Sequence, residues 1–147
     1  MLGNLQSLKC RKLRQAVDAL FHSQSVMEAI EERVLLSGNG LAATYFDNSD
    51  LSGKSITRTD ATVNFNWYNG SPNSAIGADS FSARWTGQVQ ADKTQTYTFY
   101  TTADDGVRLW VDGKQIINDW SDHAAREDKG TISLVSGQKY DIKLEYY

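Results

Sequence analysis

Cysteine is almost absent from this sequence. Cys10 is the only one in 147 residues, so no disulfide can form within the chain and no cysteine-rich zinc site exists. Histidine is nearly as scarce. His22 and His123 stand far apart, nothing beside either has metal-ligand spacing, and both read as ordinary surface or partly buried histidines. Pro72 is the one proline. No uninterrupted apolar run reaches the ~20 residues that span a bilayer. The best candidate for the core of a secretory signal, Ala16–Phe21, is short and contains Asp18. Basic charge is not in excess either. The net charge of -3 is spread along the chain, and no basic stripe interleaves with aromatics, which points away from a nucleic-acid partner. No internal repeat is visible.

What is present suits one domain with one core: a hydrophobic fraction of 40%, and 11% aromatics, which favour packed cross-strand pairs. Residues 1–39 differ from the rest. Leu5, Leu8, Leu13, Val17, Leu20 and Phe21 recur at helical steps, and Met27, Ile30, Val34 and Leu35 continue the stripe, so this segment reads as amphipathic helix. Ser37–Gly40 is a small polar boundary. From residue 40 to 147 the pattern is β. Strands are expected at Ala43–Phe46, Ala61–Trp67, within Ser80–Gln90, at Thr131–Val135 and at Lys139–Tyr147, with Asn118–Gly130 as a polar loop. Many short strands separated by turn signals predict an all-β sandwich or barrel. The last strand runs into Tyr147, and an unpaired edge is expected there.

The most informative stretch is Thr96–Ile117, which reads as a hairpin around Asp104 and Asp105: strand, acidic turn, strand, tight turn, strand. Asp112-Gly113 between two β-rich runs suits a type I′ hairpin turn, because both central residues need positive φ. Asp104 and Asp105 are adjacent carboxylates that repel each other unless a cation neutralises them. A hard ion such as calcium takes oxygen ligands, and Gly106 would let the backbone pass close beside it. The same residues also read as a solvated acidic turn.

These residues carry two family resemblances. Ile30–Leu36, IEERVLL, resembles the LEPR-xLL segment found near the N-terminus of large surface-associated bacterial proteins, with Ile30 and Glu32 departing from its pattern. It implies an export or processing segment, while an ordinary helix end is the other reading. Residues 40–147 resemble a PA14 domain, through Tyr45-Phe46, Arg84-Trp85-Thr86-Gly87, Tyr97-Thr98-Phe99, Asp104-Asp105-Gly106, Asp112-Gly113 and Trp120. That resemblance implies a β-sandwich of jelly-roll character, here without its last strand. It also implies a non-catalytic module, usually extracellular or at the cell surface. In sugar-binding members, aspartates corresponding to Asp104 and Asp105 hold calcium across a cis peptide, and the ion holds sugar hydroxyls. An asparagine ligand from a loop beyond the strand resembling Tyr140–Tyr147 is absent here, so a weak site is implied.

The leading expectation is therefore a calcium-dependent carbohydrate-binding or adhesion module. Its partners would be glycans, with Asp104 and Asp105 as metal ligands and Trp110 and Trp120 stacking on sugars. The alternative is a structural or protein-interaction β-sandwich without sugar binding, in which the tryptophans make core or cross-strand contacts. Trp85 is expected in the core. Ser121, Asp122 and His123 are adjacent, but adjacency is not triad geometry and no nucleophile motif surrounds the serine, so no enzyme is expected.

Overall fold

A computed structural model describes residues 8–9, 34–36 and 40–147, and these residues form ten strands. They are β1 (Leu8–Lys9), β2 (Val34–Leu36), β3 (Leu41–Phe46), β4 (Ser55–Asp60), β5 (Ser82–Ala91), β6 (Gln95–Ala103), β7 (Val107–Val111), β8 (Lys114–Asp119), β9 (Arg126–Leu134) and β10 (Lys139–Tyr146). No helix occurs among the described residues. One sheet runs β4-β3-β5-β10-β7-β8, with β2 also on β5; the other runs β1-β6-β9. Every pairing is antiparallel.

The two sheets share one core because alternate residues of each strand face inward. Leu41, Ala43 and Tyr45 of β3, Trp85 and Val89 of β5, Val107, Leu109 and Val111 of β7, and Ile142, Leu144 and Tyr146 of β10 meet Tyr97, Phe99 and Leu134 of the smaller sheet. Trp85 is fully buried, as the alternation predicts. Asp112 (φ 52°) and Gly113 (φ 72°) close the β7–β8 hairpin with the two positive φ angles that the Asp-Gly pair implies.

Five expectations are corrected. First, Asp104–Gly106 closes no hairpin: β6 and β7 belong to different sheets, so this turn carries the chain across the rim of the sandwich. Second, Ala61–Trp67 is not a strand. The position beside β3 is held by β4, whose apolar content is a single isoleucine, Ile56. The inward alternation survives without a ladder: Val63 is buried, Phe65 stacks on Trp67 at 5.0 Å, and Trp67 meets Phe81 edge-on at 5.1 Å. Third, β9 begins at Arg126, inside the predicted loop, where polar Arg126–Lys129 pair with Tyr100–Ala103. Fourth, β10 has no free edge, because β5 and β7 flank it. Fifth, the backbone is extended at Leu8–Lys9 and at Val34–Leu36, which pair with Tyr100–Thr101 and Val89–Ala91. The remainder of the helical reading of residues 1–39 lies outside the described residues, as does the Ile30–Arg33 part of the LEPR-xLL-like segment.

One glycine sets the distance between β8 and β9. A Cβ on Gly130 of β9 would lie 2.1 Å from the Ile116 carbonyl oxygen of β8. Only a residue without a side chain lets the two strands approach this closely. The larger sheet's edge is thereby drawn against the smaller sheet, with residues 120–125 looped over the join.

Candidate functional site

The β6–β7 crossover sets Asp104 and Asp105 between two buried strand ends, Ala103 and Val107. Asp105, not Gly106, takes the left-handed conformation (φ 66°), and its N–H donates to the His123 carbonyl at 3.1 Å. The room left by Gly106 is filled by a ring: a Cβ there would lie 2.1 Å from Tyr147 Cε1. The Tyr147 N–H also donates to the Gly106 carbonyl at 3.0 Å. The expectation that Gly106 clears space for an ion is thus corrected. So is the cis peptide implied by the family, since every peptide among the described residues is trans.

Both aspartates are half-buried and act on one hydroxyl. The Tyr146 phenol is raised well above its ordinary value, first by burial, then by the charges of Asp104 and Asp105. Its O–H lies 3.5 Å from Asp104 Oδ1, the long limit of a hydrogen bond. Their donor atoms fit calcium in kind, being hard carboxylate oxygens. Two carboxylates supply at most about four of the six to eight oxygens that the ion takes.

Trp110 is placed by cross-strand pairing, and Trp120 follows directly after β8. Lys143, the registered partner of Trp110 on β10, sets its ammonium 3.8 Å from the ring centroid. Arg108 lies 3.7 Å over Trp120, and Tyr147 meets that ring at 4.8 Å. Cations therefore lie over the faces on which a sugar was expected to stack. The same row holds a buried carboxylate. Glu145 is 3% exposed, and it accepts from Arg84 Nε at 2.9 Å and Arg108 Nη2 at 2.6 Å.

A second cluster was missed in the sequence. Asp119 at the end of β8, His123 in the loop and Asp128 on β9 bring one ligand atom each within 4.8 Å of one another. Asp104 and Asp105 are not among them. The sequence signal is slight: an aspartate four residues before a histidine, and a third group reached only when β9 folds back on β8. Ser121 Oγ donates to Asp119 Oδ1 at 3.1 Å, and Asp122 accepts from the Tyr147 hydroxyl at 2.9 Å. Ser121 and His123 thus both address Asp119 and form no nucleophile–base pair. Burial opposes ionisation of Asp119, but hydrogen bonds from Arg126 and Ser121 and the charges of His123 and Arg126 outweigh it and hold the carboxyl below its usual range. Asp128 is pushed up, first by burial and then by the Asp119 charge.

The family model for the PA14 domain matches residues 37–147. The Anti-sigma-I factor RsgI3 of Acetivibrio thermocellus is 48% identical over 111 residues, covering 76% of this chain and 17% of that protein. A solved anti-sigma factor domain-containing protein from Clostridium clariflavum has a TM-score of 0.69 at 47% identity, over 73% of this chain and 36% of that one. The PA14 domain of the MpAFP antifreeze protein shares the fold alone, with a TM-score of 0.56 at 16% identity, over 84% of this chain and 80% of that one. The chain thus spans about a sixth of the length of the curated relative, which matches it over 17% of its own residues. These relatives overturn the expectation of a calcium-dependent carbohydrate-binding adhesion module: at 47–48% identity they are anti-sigma factors, which are signalling regulators.

Proposed function

This chain belongs to the PA14 domain family, and on that premise we propose that it is a non-enzymatic protein-interaction module of a signalling regulator of the anti-sigma type. The observation that carries the reading is 48% identity across 111 residues to a segment of an anti-sigma-I factor. Fold likeness alone would carry no function, and identity at this level goes beyond it. The surface supports the reading. Phe46, Trp110 and Trp120 stand beside Arg84, Arg108 and Lys143 on the outer side of the larger sheet. Arginine and aromatic side chains are the types enriched where proteins bind proteins.

Calcium enters the proposal in a structural role. Asp104 and Asp105 would hold the ion and stiffen the crossover turn, with low affinity because they offer few oxygens. Placement outside the cytoplasm is the second part. It is supported by the LEPR-xLL-like residues. No helix among the described residues is long and apolar enough to cross a membrane.

A segment exchange tests the reading. Residues 37–147 replace the matching segment of the Acetivibrio thermocellus regulator, and sigma-dependent reporter output is compared with the parent and with a deletion of the segment. Regulation like the parent's supports an interaction module; output like that of the deletion contradicts it.

A further inference from the structure

We propose that Asp119, His123 and Asp128 form a binding site for a divalent transition ion of the zinc type, and that the Arg126 guanidinium competes with the ion for it. The three side chains come from β8, the loop after it and β9, and the close approach of β8 and β9 at Gly130 brings them together. They are well shielded: the His123 side chain is 8% exposed, Asp119 10% and Asp128 27%.

The histidine carries the argument. His123 Nδ1 lies 2.9 Å from the Ala124 carbonyl oxygen. A carbonyl only accepts, so Nδ1 carries the hydrogen, and in the neutral ring Nε2 presents its lone pair. That nitrogen is buried and has no hydrogen-bond partner, although Asp119 Oδ2 is 2.9 Å away. Asp128 Oδ2 is likewise buried without a hydrogen-bond partner. A lone pair and a carboxylate oxygen this close repel each other unless a cation sits between them: a proton while the ring is charged, and the metal ion once it displaces that proton. Two ligand atoms each 2.0–2.2 Å from one zinc ion are about 3.3–3.6 Å apart at the tetrahedral angle and about 2.8–3.1 Å apart at a right angle. The Nε2–Oδ2 separation of 2.9 Å fits the right-angled pair. A backbone carbonyl on the other ring nitrogen is also the usual device for orienting a metal-binding histidine.

Ligand chemistry selects the ion. One imidazole and two carboxylates suit zinc or cobalt, whereas calcium takes oxygen alone. This site is separate from Asp104 and Asp105, and it does not rest on the signalling reading.

Arg126 sets the affinity. Its Nε donates to Asp119 Oδ2 at 2.8 Å, its Nη2 bonds the same oxygen, and its Nε is 3.9 Å from Asp128 Oδ2. The side chain is 51% exposed, so it can swing into water when an ion takes those oxygens.

The test is calorimetric titration of the full chain with zinc chloride, carried on a Cys10→Ser background so that the thiol cannot capture the ion. Cobalt(II) absorption is read in parallel. One zinc per chain at micromolar affinity is expected. His123→Gln and Asp128→Asn should each weaken binding at least 10-fold, and Arg126→Ala should tighten it about 10-fold, with circular dichroism showing each variant folded. Binding that is absent up to millimolar zinc overturns the proposal, as does binding unchanged by His123→Gln. Arg126→Ala leaving affinity unchanged or weaker also overturns it, because a simple ion-pair cluster gains nothing from losing its cation.

Discussion

Asp60 holds together the polar centre of an otherwise apolar core, and its removal has a calculable cost. The residue is 7% exposed at the end of β4. It accepts from the Tyr45 hydroxyl at 2.5 Å, Trp85 Nε1 at 2.8 Å and Arg58 Nε at 2.6 Å. Arg58 also donates to the Tyr45 oxygen at 2.8 Å and to the Pro72 carbonyl at 2.9 Å. Asp60→Ala strands two donors on fully buried rings. Each unsatisfied buried donor costs about 1–3 kcal/mol. The Arg58 side chain is 35% exposed, so water offsets much of its lost ion pair. The sum is about 3–5 kcal/mol, set against a usual total of about 5–15 kcal/mol. In a chain of this size each kcal/mol lowers Tm by roughly 2–4 °C, so a fall of about 10 °C is expected. Asp60→Asn keeps one accepting oxygen and should cost about half as much. Urea unfolding followed by tryptophan fluorescence measures both, and a cycle with Tyr45→Phe measures their coupling. A loss under ~1 kcal/mol for Asp60→Ala would refute the reasoning, as would additivity with Tyr45→Phe within about 0.5 kcal/mol.

Three further outcomes are expected. Glu145→Ala leaves Arg84 and Arg108 facing each other without their shared carboxylate, and urea unfolding should show a loss of about 2–3 kcal/mol, discounted for the partial exposure of both arginines. Tyr45 and Tyr146 both have folded values raised, by burial first, so their contribution is fully present below the unfolded value of about 10 and is lost as pH rises through the folded values. Denaturant midpoints should therefore fall between pH 9 and 11, and fall less in Tyr45→Phe; equal slopes would contradict this. Millimolar calcium should raise Tm by no more than about 2 °C through Asp104 and Asp105, and Asp105→Ala should abolish the effect; a larger rise at micromolar calcium would contradict a two-carboxylate site.

Local chemistry was legible in the sequence, and partnership across the chain was not. Asp112-Gly113 announces its hairpin because two positive φ angles are a property of two residues. Tyr140, Ile142, Leu144 and Tyr146 announce an inward face because alternation is local as well. Which strand lies beside which is not encoded in period, so Asp104–Gly106 read as a hairpin turn when it is a crossover between sheets. β9 was hidden because its first four residues, Arg126–Lys129, are polar and lie in the smaller sheet. The cation over Trp110 depends on β7–β10 register, fixed by residues more than thirty positions apart, and the cation over Trp120 depends on β7–β8 pairing. The Asp119, His123 and Asp128 cluster depends on Gly130, which carries no chemistry of its own and acts by what it lacks.

The most direct measurement is sigma-dependent reporter output from the exchanged regulator, titrated against the deletion and compared with a second exchange carrying Glu145→Ala and Trp110→Ala on the outer face. Output matching the parent for the first exchange, and shifting toward the deletion for the second, is the result the interaction reading predicts. Output equal to the deletion in the first exchange, with the protein folded and present at parental levels, would contradict it.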